Sequence, residues 1–200
     1  MIPERLAALR EKMRAYGVDA YLVPTADYHE SEYVGTYFKA RTYITGFTGS
    51  AGTAVITQDE ACLWTDGRYF VQAAKELAGT GVTLMKMGQE GVPTVEEYLQ
   101  ANTKEGMTIG FDGRVVNEML GETLEKTLPE RFLSYRSDLI GEIWSDRPAL
   151  SAEPVWILDS KYRLDAEYPR KRYSVQSGCP LLPHSDRNRR PSVYSGSNFK

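Results

Sequence analysis

Two apolar runs, GTAVIT (52–57) and EACLWT (60–65), stand only two residues apart, with Gln58 and Asp59 between them. A link that short cannot carry a crossover, so the two runs pair antiparallel as a hairpin. Around the hairpin, strand-like and helix-like segments alternate. AYLVP (20–24), VTLMKM (82–87) and TIGFD (108–112) read as strands, TYIT (42–45) as another, and FLSYR (132–136) as a short one. Leu6, Leu9, Met13 and Tyr16 recur at helical spacing until Gly17 stops them. Further helices are expected over 67–79, over 117–128 closed by Pro129, and briefly over 139–144, while 27–41 reads as part helix and part loop. A helix over 94–102 opens with Thr94 and Glu97 as a capping box. The alternation argues an α/β fold, a three-layer-like sandwich whose hairpin makes the sheet mixed parallel and antiparallel.

The texture changes after Pro148. Residues 1–150 read as one domain, 151–160 as a linker leading into VWIL (155–158), the first strand of a second domain, and 161–200 as an irregular basic tail, either disordered or read out of frame. The tail carries nine Lys/Arg against three Asp/Glu, whereas residues 1–160 carry fifteen against twenty-four. An acidic body is a poor nucleic-acid platform, and no long apolar run offers to span a membrane. Cys62 and Cys179 make neither a disulfide framework nor a metal pair, which points to a reducing, cytoplasmic setting.

The glycine-rich stretch GFTGSAGT (46–53) invites three chemical readings. As a nucleophile elbow it fails, because Thr48 occupies the first glycine position around Ser50, and the two histidines, His29 and His184, are remote in sequence. As a phosphate loop it lacks the closing lysine, and a strand rather than a helix follows. A tight turn between strands remains. No histidine or cysteine spacing suits a metal, and Asp59, Glu60, Asp66 and Asp112 at strand ends read as ordinary solvent-facing acids. His29 reads as a surface or capping residue. Arg68, in WTDGRYF (64–70), stands out: a guanidinium just past a strand end presents a fork that suits carboxylates and peptide carbonyls, with Asp66 placed either to cap the helix that follows or to pair with it.

The run SEYVGTYFKARTYITGFTGSAGTAVITQDEACLWTDGRYFVQAAKEL, followed by TLMKMG and IWSDRP, closely resembles the N-terminal domain of cytosolic-type aminopeptidase P (Xaa-Pro aminopeptidase), within the creatinase/prolidase N-terminal superfamily. The likeness extends from about residue 4 to residue 158. It implies a ribonuclease H-like α/β domain that precedes a separate catalytic domain. The intact enzymes remove an N-terminal residue preceding proline, use two divalent metal ions, usually manganese, and form homodimers. The resemblance carries one residue over as substrate-binding, Arg68, and more weakly Phe47 in the glycine-rich turn; Ser50 becomes structural. It carries over no catalytic residue and no metal ligand. The expectation is a non-catalytic domain that contributes to the substrate pocket and to dimerisation, with no cofactor of its own. The alternative is a stand-alone peptide- or protein-binding module without hydrolase activity.

Overall fold

The hairpin supplies two interior strands of the sheet. In the computed structural model, which describes residues 1–135 and 138–153, strand β2 (Thr53–Thr57) pairs antiparallel with β3 (Ala61–Thr65), setting Val55 opposite Cys62. The Thr57 amide donates to the Glu60 carbonyl at 2.9 Å and closes the turn. On the other side of β2 lies β1 (Ala20–Pro24), also antiparallel, with Leu22 opposite Val55. Three strands then add in parallel: β4 (Thr83–Lys86) beside β3, β5 (Thr108–Phe111) beside β1, and β6 (Phe132–Ser134) beside β5. The order β4-β3-β2-β1-β5-β6 leaves β2 as the one strand of this sheet that runs against the others.

Both faces of the sheet are covered, and the alternation of side chains shows it. Tyr21, Val23, Ala54, Ile56, Ala61 and Leu63 point into one core with helices α1 (Ile2–Tyr16), α2 (Ala40–Thr45), α3 (Phe70–Glu76) and α6 (Leu139–Ile143). Their neighbours Ala20, Leu22, Val55, Cys62 and Trp64 point into the other core with α4 (Val95–Asn102) and α5 (Glu118–Thr127). Successive strand residues face opposite sides, so two helical layers need continuously apolar strands. Each large side chain withdrawn from water contributes about 1.5–3 kcal/mol. The helix ends follow local rules. Gly17 takes φ 65° and ends α1, and Thr94 and Glu97 form the expected reciprocal cap. The mixed α/β sandwich is therefore the fold of residues 1–151, the unit that holds all of these elements.

Two expectations need correction. TYIT does not form a strand; it is the body of α2. Its β-branched residues favour extended chain, but the Thr45 hydroxyl donates back to the Arg41 carbonyl at 2.8 Å, Gly46 closes the turn at φ 82°, and Tyr43 stacks on Trp144 at 4.5 Å. Packing overrides propensity here. The helix expected from residue 67 begins at Phe70, because Asp66 to Tyr69 form a turn in which the Tyr69 amide donates to the Asp66 carbonyl at 3.0 Å. The strand expected at 155–158, the tail, Cys179 and His184 lie outside the described residues.

Candidate functional site

Because β2 is reversed, its leading loop emerges at the same rim of the sheet as the carboxyl ends of β1, β3, β4, β5 and β6. That rim gathers residues 25–38, the glycine-rich loop, the turn after β3 and the turn after β5. In open α/β sheets this is the side where ligand-binding residues collect.

Arg68 sits there, and Asp66 grips it. The guanidinium donates through Nε to Asp66 Oδ1 and through Nη2 to Oδ2, both at 2.9 Å, while the Arg68 amide donates to Oδ1 at 3.0 Å. These bonds from Arg68 hold the Asp66 carboxyl well below its ordinary range, at about 2. Gly67 sits between them with no neighbour pressing on it. The Arg68 side chain is 64% exposed, so the fork is fixed in direction yet open to solvent. Its charge lies 5.3 Å from the centre of the Tyr69 ring.

Tyr69 rests on the glycine-rich loop. Its ring meets Phe47 edge to face at 5.8 Å, and its hydroxyl shares a 2.7 Å hydrogen bond with Ser50. Phe47 is fully buried, so it supports the rim from beneath. Gly49 is required where the two rings converge: a β-carbon there would stand 2.3 Å from Phe47 Cζ and 2.8 Å from Tyr69 Cδ1.

Arg41 anchors this loop. It is 4% exposed. Its Nε donates to Thr25 Oγ1 at 2.7 Å, Nη1 to the Phe47 carbonyl at 2.9 Å, and Nη2 to the Gly49 carbonyl. Burial draws the guanidinium down to about 10. Glu76 holds the loop from the other side, accepting from the Thr48 amide at 2.8 Å and from its hydroxyl at 2.6 Å. Burial pushes the Glu76 carboxyl up, but the bonds from Thr48 outweigh it and leave Glu76 below its ordinary range.

A second Asp-Gly-Arg stands at the same rim, after β5. Arg114 repeats the clamp on Asp112: amide to Oδ1 at 3.0 Å, Nε to Oδ1 at 2.9 Å, Nη2 to Oδ2 at 2.8 Å. Here the fork is already engaged from outside the tripeptide, since Nη2 also donates to Asp138 Oδ2 at 2.6 Å. Asp138 in turn binds Arg147, whose Nε donates to the Tyr37 carbonyl at 2.9 Å. These residues line a cleft of about 520 Å³ with Tyr135. β3 and β5 are three strand spacings apart, which sets the two clamps ~14 Å from each other.

The other candidates are peripheral to these clamps. His29 is exposed, and its amide donates to Asp27 Oδ1 at 2.8 Å. Glu60 accepts from the Tyr98 hydroxyl at 2.6 Å, and Asp59 is exposed beside it in the hairpin turn. Among the described residues, no group of three or more His, Cys, Asp or Glu side chains could hold a metal ion, so these residues do not fit a dinuclear centre. No described helix is long and apolar enough to cross a membrane. Inspection of the sequence missed Arg41, because arginine so seldom lies buried. It also missed the second clamp, although the signal was present: Asp-Gly-Arg occurs twice, each time directly after a strand.

The sequence profile of the creatinase/prolidase N-terminal domain matches residues 5–143. The chain belongs to the creatinase/prolidase N-terminal domain family. Its relatives in this family include a probable Xaa-Pro aminopeptidase P of Talaromyces marneffei, 45% identical over 164 residues, covering 80% of this chain and 25% of that protein. Aminopeptidase P2 of Arabidopsis thaliana is 40% identical over 169 residues, covering 81% of this chain and 24% of its own length. Among solved structures, the X-prolyl aminopeptidase of Caenorhabditis elegans, described as a cytosolic enzyme with a di-nuclear active site, superposes with a TM-score of 0.73 at 37% identity, over 80% of this chain and 28% of that one. This creatinase/prolidase N-terminal domain thus spans about a quarter of the length of the relatives it matches.

Proposed function

We propose that residues 1–150 form the substrate-contacting, non-catalytic N-terminal domain of an Xaa-Pro aminopeptidase, a hydrolase that releases an N-terminal residue preceding proline. The observation that carries this reading is the Arg68 fork, held by Asp66 and left open at the rim where the strand carboxyl ends gather. A preoriented guanidinium loses little freedom when it meets a peptide, which is what a binding residue needs. Phe47 contributes less directly, by holding Tyr69 and the turn beneath Arg68. Residues 151–160 lead toward a second domain, and the intact enzyme is a cytoplasmic homodimer with two divalent ions, manganese in this reading, held by a separate catalytic domain. The names of the relatives support the reaction class.

The test uses the full 200-residue chain. Incubated with manganese and a proline-containing peptide, it releases no N-terminal residue, yet the peptide shifts the Arg68 side-chain resonance. Metal-dependent release of that residue from the purified chain overturns the non-catalytic assignment.

A further inference from the structure

Each clamp contains an Asp-Gly pair, Asp66–Gly67 and Asp112–Gly113. Such a pair can close on itself, because glycine has no β-carbon to shield its amide nitrogen. The nitrogen bonds to the aspartate Cγ, the Cγ–OH bond breaks, and the hydroxyl leaves as water with the amide proton. Water then reopens the succinimide ring. Addition at Cγ restores aspartate, and addition at the main-chain carbonyl leaves isoaspartate, whose backbone runs through Cβ and Cγ. Ring closure proceeds from the neutral acid, since an ionised carboxylate has no hydroxyl to release.

The two pairs are guarded differently. The Gly113 amide donates to the Tyr135 carbonyl at 3.1 Å, and the Asp112 side chain is only 16% exposed. The Gly67 amide makes no hydrogen bond among the described residues, and Gly67 is exposed. A β-carbon there would find its nearest neighbour, Phe70, at 3.9 Å, so the nitrogen is open to attack the acid. The Asp66 side chain is 36% exposed. The restraint at this pair falls on the carboxyl: the Arg68 amide and Nε hold Oδ1, and Nη2 holds Oδ2. These bonds keep Asp66 ionised down to about 2, against roughly 3.9 for a free aspartate.

We infer that Asp66–Gly67 is a latent self-modification site, where the Arg68 clamp holds back the conversion of Asp66 to isoaspartate. This role of Arg68 is independent of whether it also meets a peptide. Conversion would place one extra atom in the main chain between β3 and α3 and shorten the acid by one carbon. The three bonds from Arg68 depend on the present lengths of both, so the guanidinium would lose its fixed direction. At Asp112 the engaged Gly113 amide keeps the nitrogen from its acid even where the clamp is the same.

The full chain, Arg68→Gln and the double variant Gly67→Ala with Arg68→Gln are each incubated, folded, at neutral pH in heavy-oxygen water. Peptide mapping by mass spectrometry then separates isoaspartate from aspartate at both pairs and reads the label that ring opening leaves behind. Arg68→Gln is expected to convert Asp66 about tenfold faster than the parent, because the neutral fraction of the acid rises as its pKa returns toward the free value. Asp112 is expected to convert at the parent rate in all three chains and serves as the internal reference. Gly67→Ala is expected to slow Asp66 again by crowding the nitrogen. Equal rates at Asp66 in the parent and in Arg68→Gln overturn the inference, as does an Asp112 that converts as fast as Asp66 in Arg68→Gln. A common rise at both pairs marks general loosening of the chain and overturns it too.

Discussion

The Ser50 hydroxyl and the Tyr69 phenol share a hydrogen bond of 2.7 Å, which makes the serine of the glycine-rich loop a brace beneath the residue next to Arg68. Ser50→Ala and Tyr69→Phe are each expected to lower stability by about 1 kcal/mol. Both remove the same bond, so the double variant should lose little more than either single one. Urea unfolding of the three variants measures this coupling.

Arg41 is the strongest single anchor of the loop. Arg41→Met leaves the Phe47 and Gly49 carbonyls and the Thr25 hydroxyl without their donor. A loss of about 2–4 kcal/mol is expected, and Arg41→Lys should recover only part of it, because one ammonium cannot reach three diverging acceptors. Denaturant midpoints of the two variants give the comparison.

The glycines of the two clamps should differ in tolerance. A β-carbon on Gly67 finds its nearest neighbour at 3.9 Å, whereas one on Gly113 would stand 2.5 Å from the Tyr135 carbonyl oxygen. Gly67→Ala is therefore expected to stay within about 0.5 kcal/mol of the parent, and Gly113→Ala to cost about 1–3 kcal/mol through backbone displacement. Thermal melts of the pair decide it.

The Arg68 clamp has an acid limit. Asp66 is depressed to about 2 in the folded chain, against roughly 3.9 for a free aspartate. A depressed carboxylate contributes its stability above the unfolded value, and loses it as pH falls through the folded one. The clamp should hold down to about pH 3 and open near pH 2, and the exposure of both partners keeps the stability change small. Carbon NMR of the Asp66 carboxyl gives the midpoint, and in Arg68→Gln it should return toward the free value.

Much of the fold was legible because the sheet is buried on both faces. Continuous apolar runs such as AYLVP and the paired 52–57 and 60–65 suit strands covered on both faces. The two-residue link at Gln58 and Asp59 then set the direction of β2. TYIT was misleading because Thr and Ile carry a real extended preference, and only Arg41 turning inward and Tyr43 stacking on Trp144 reverse it. Arg68 was singled out by its position after a strand, and the turn after β3 holds it in the Asp66 clamp. The loop anchor at Arg41 was not singled out, since a buried cation acting on main-chain carbonyls has no local sequence signature. The equivalence of the two clamps was readable in principle, but their different occupancy depends on Asp138, far along the chain from Arg114.

The reversed direction of β2 gives the domain two unlike ends. The hairpin bend at Gln58 and Asp59 faces away from the rim that carries Arg68, Arg114 and the glycine-rich loop, and Asp59 is open to solvent. A dye or affinity handle attached at Asp59 would ride on two interior strands of the sheet while remaining far from the arginine side, offering a quiet observation post from which ligand-induced tumbling or assembly can be watched.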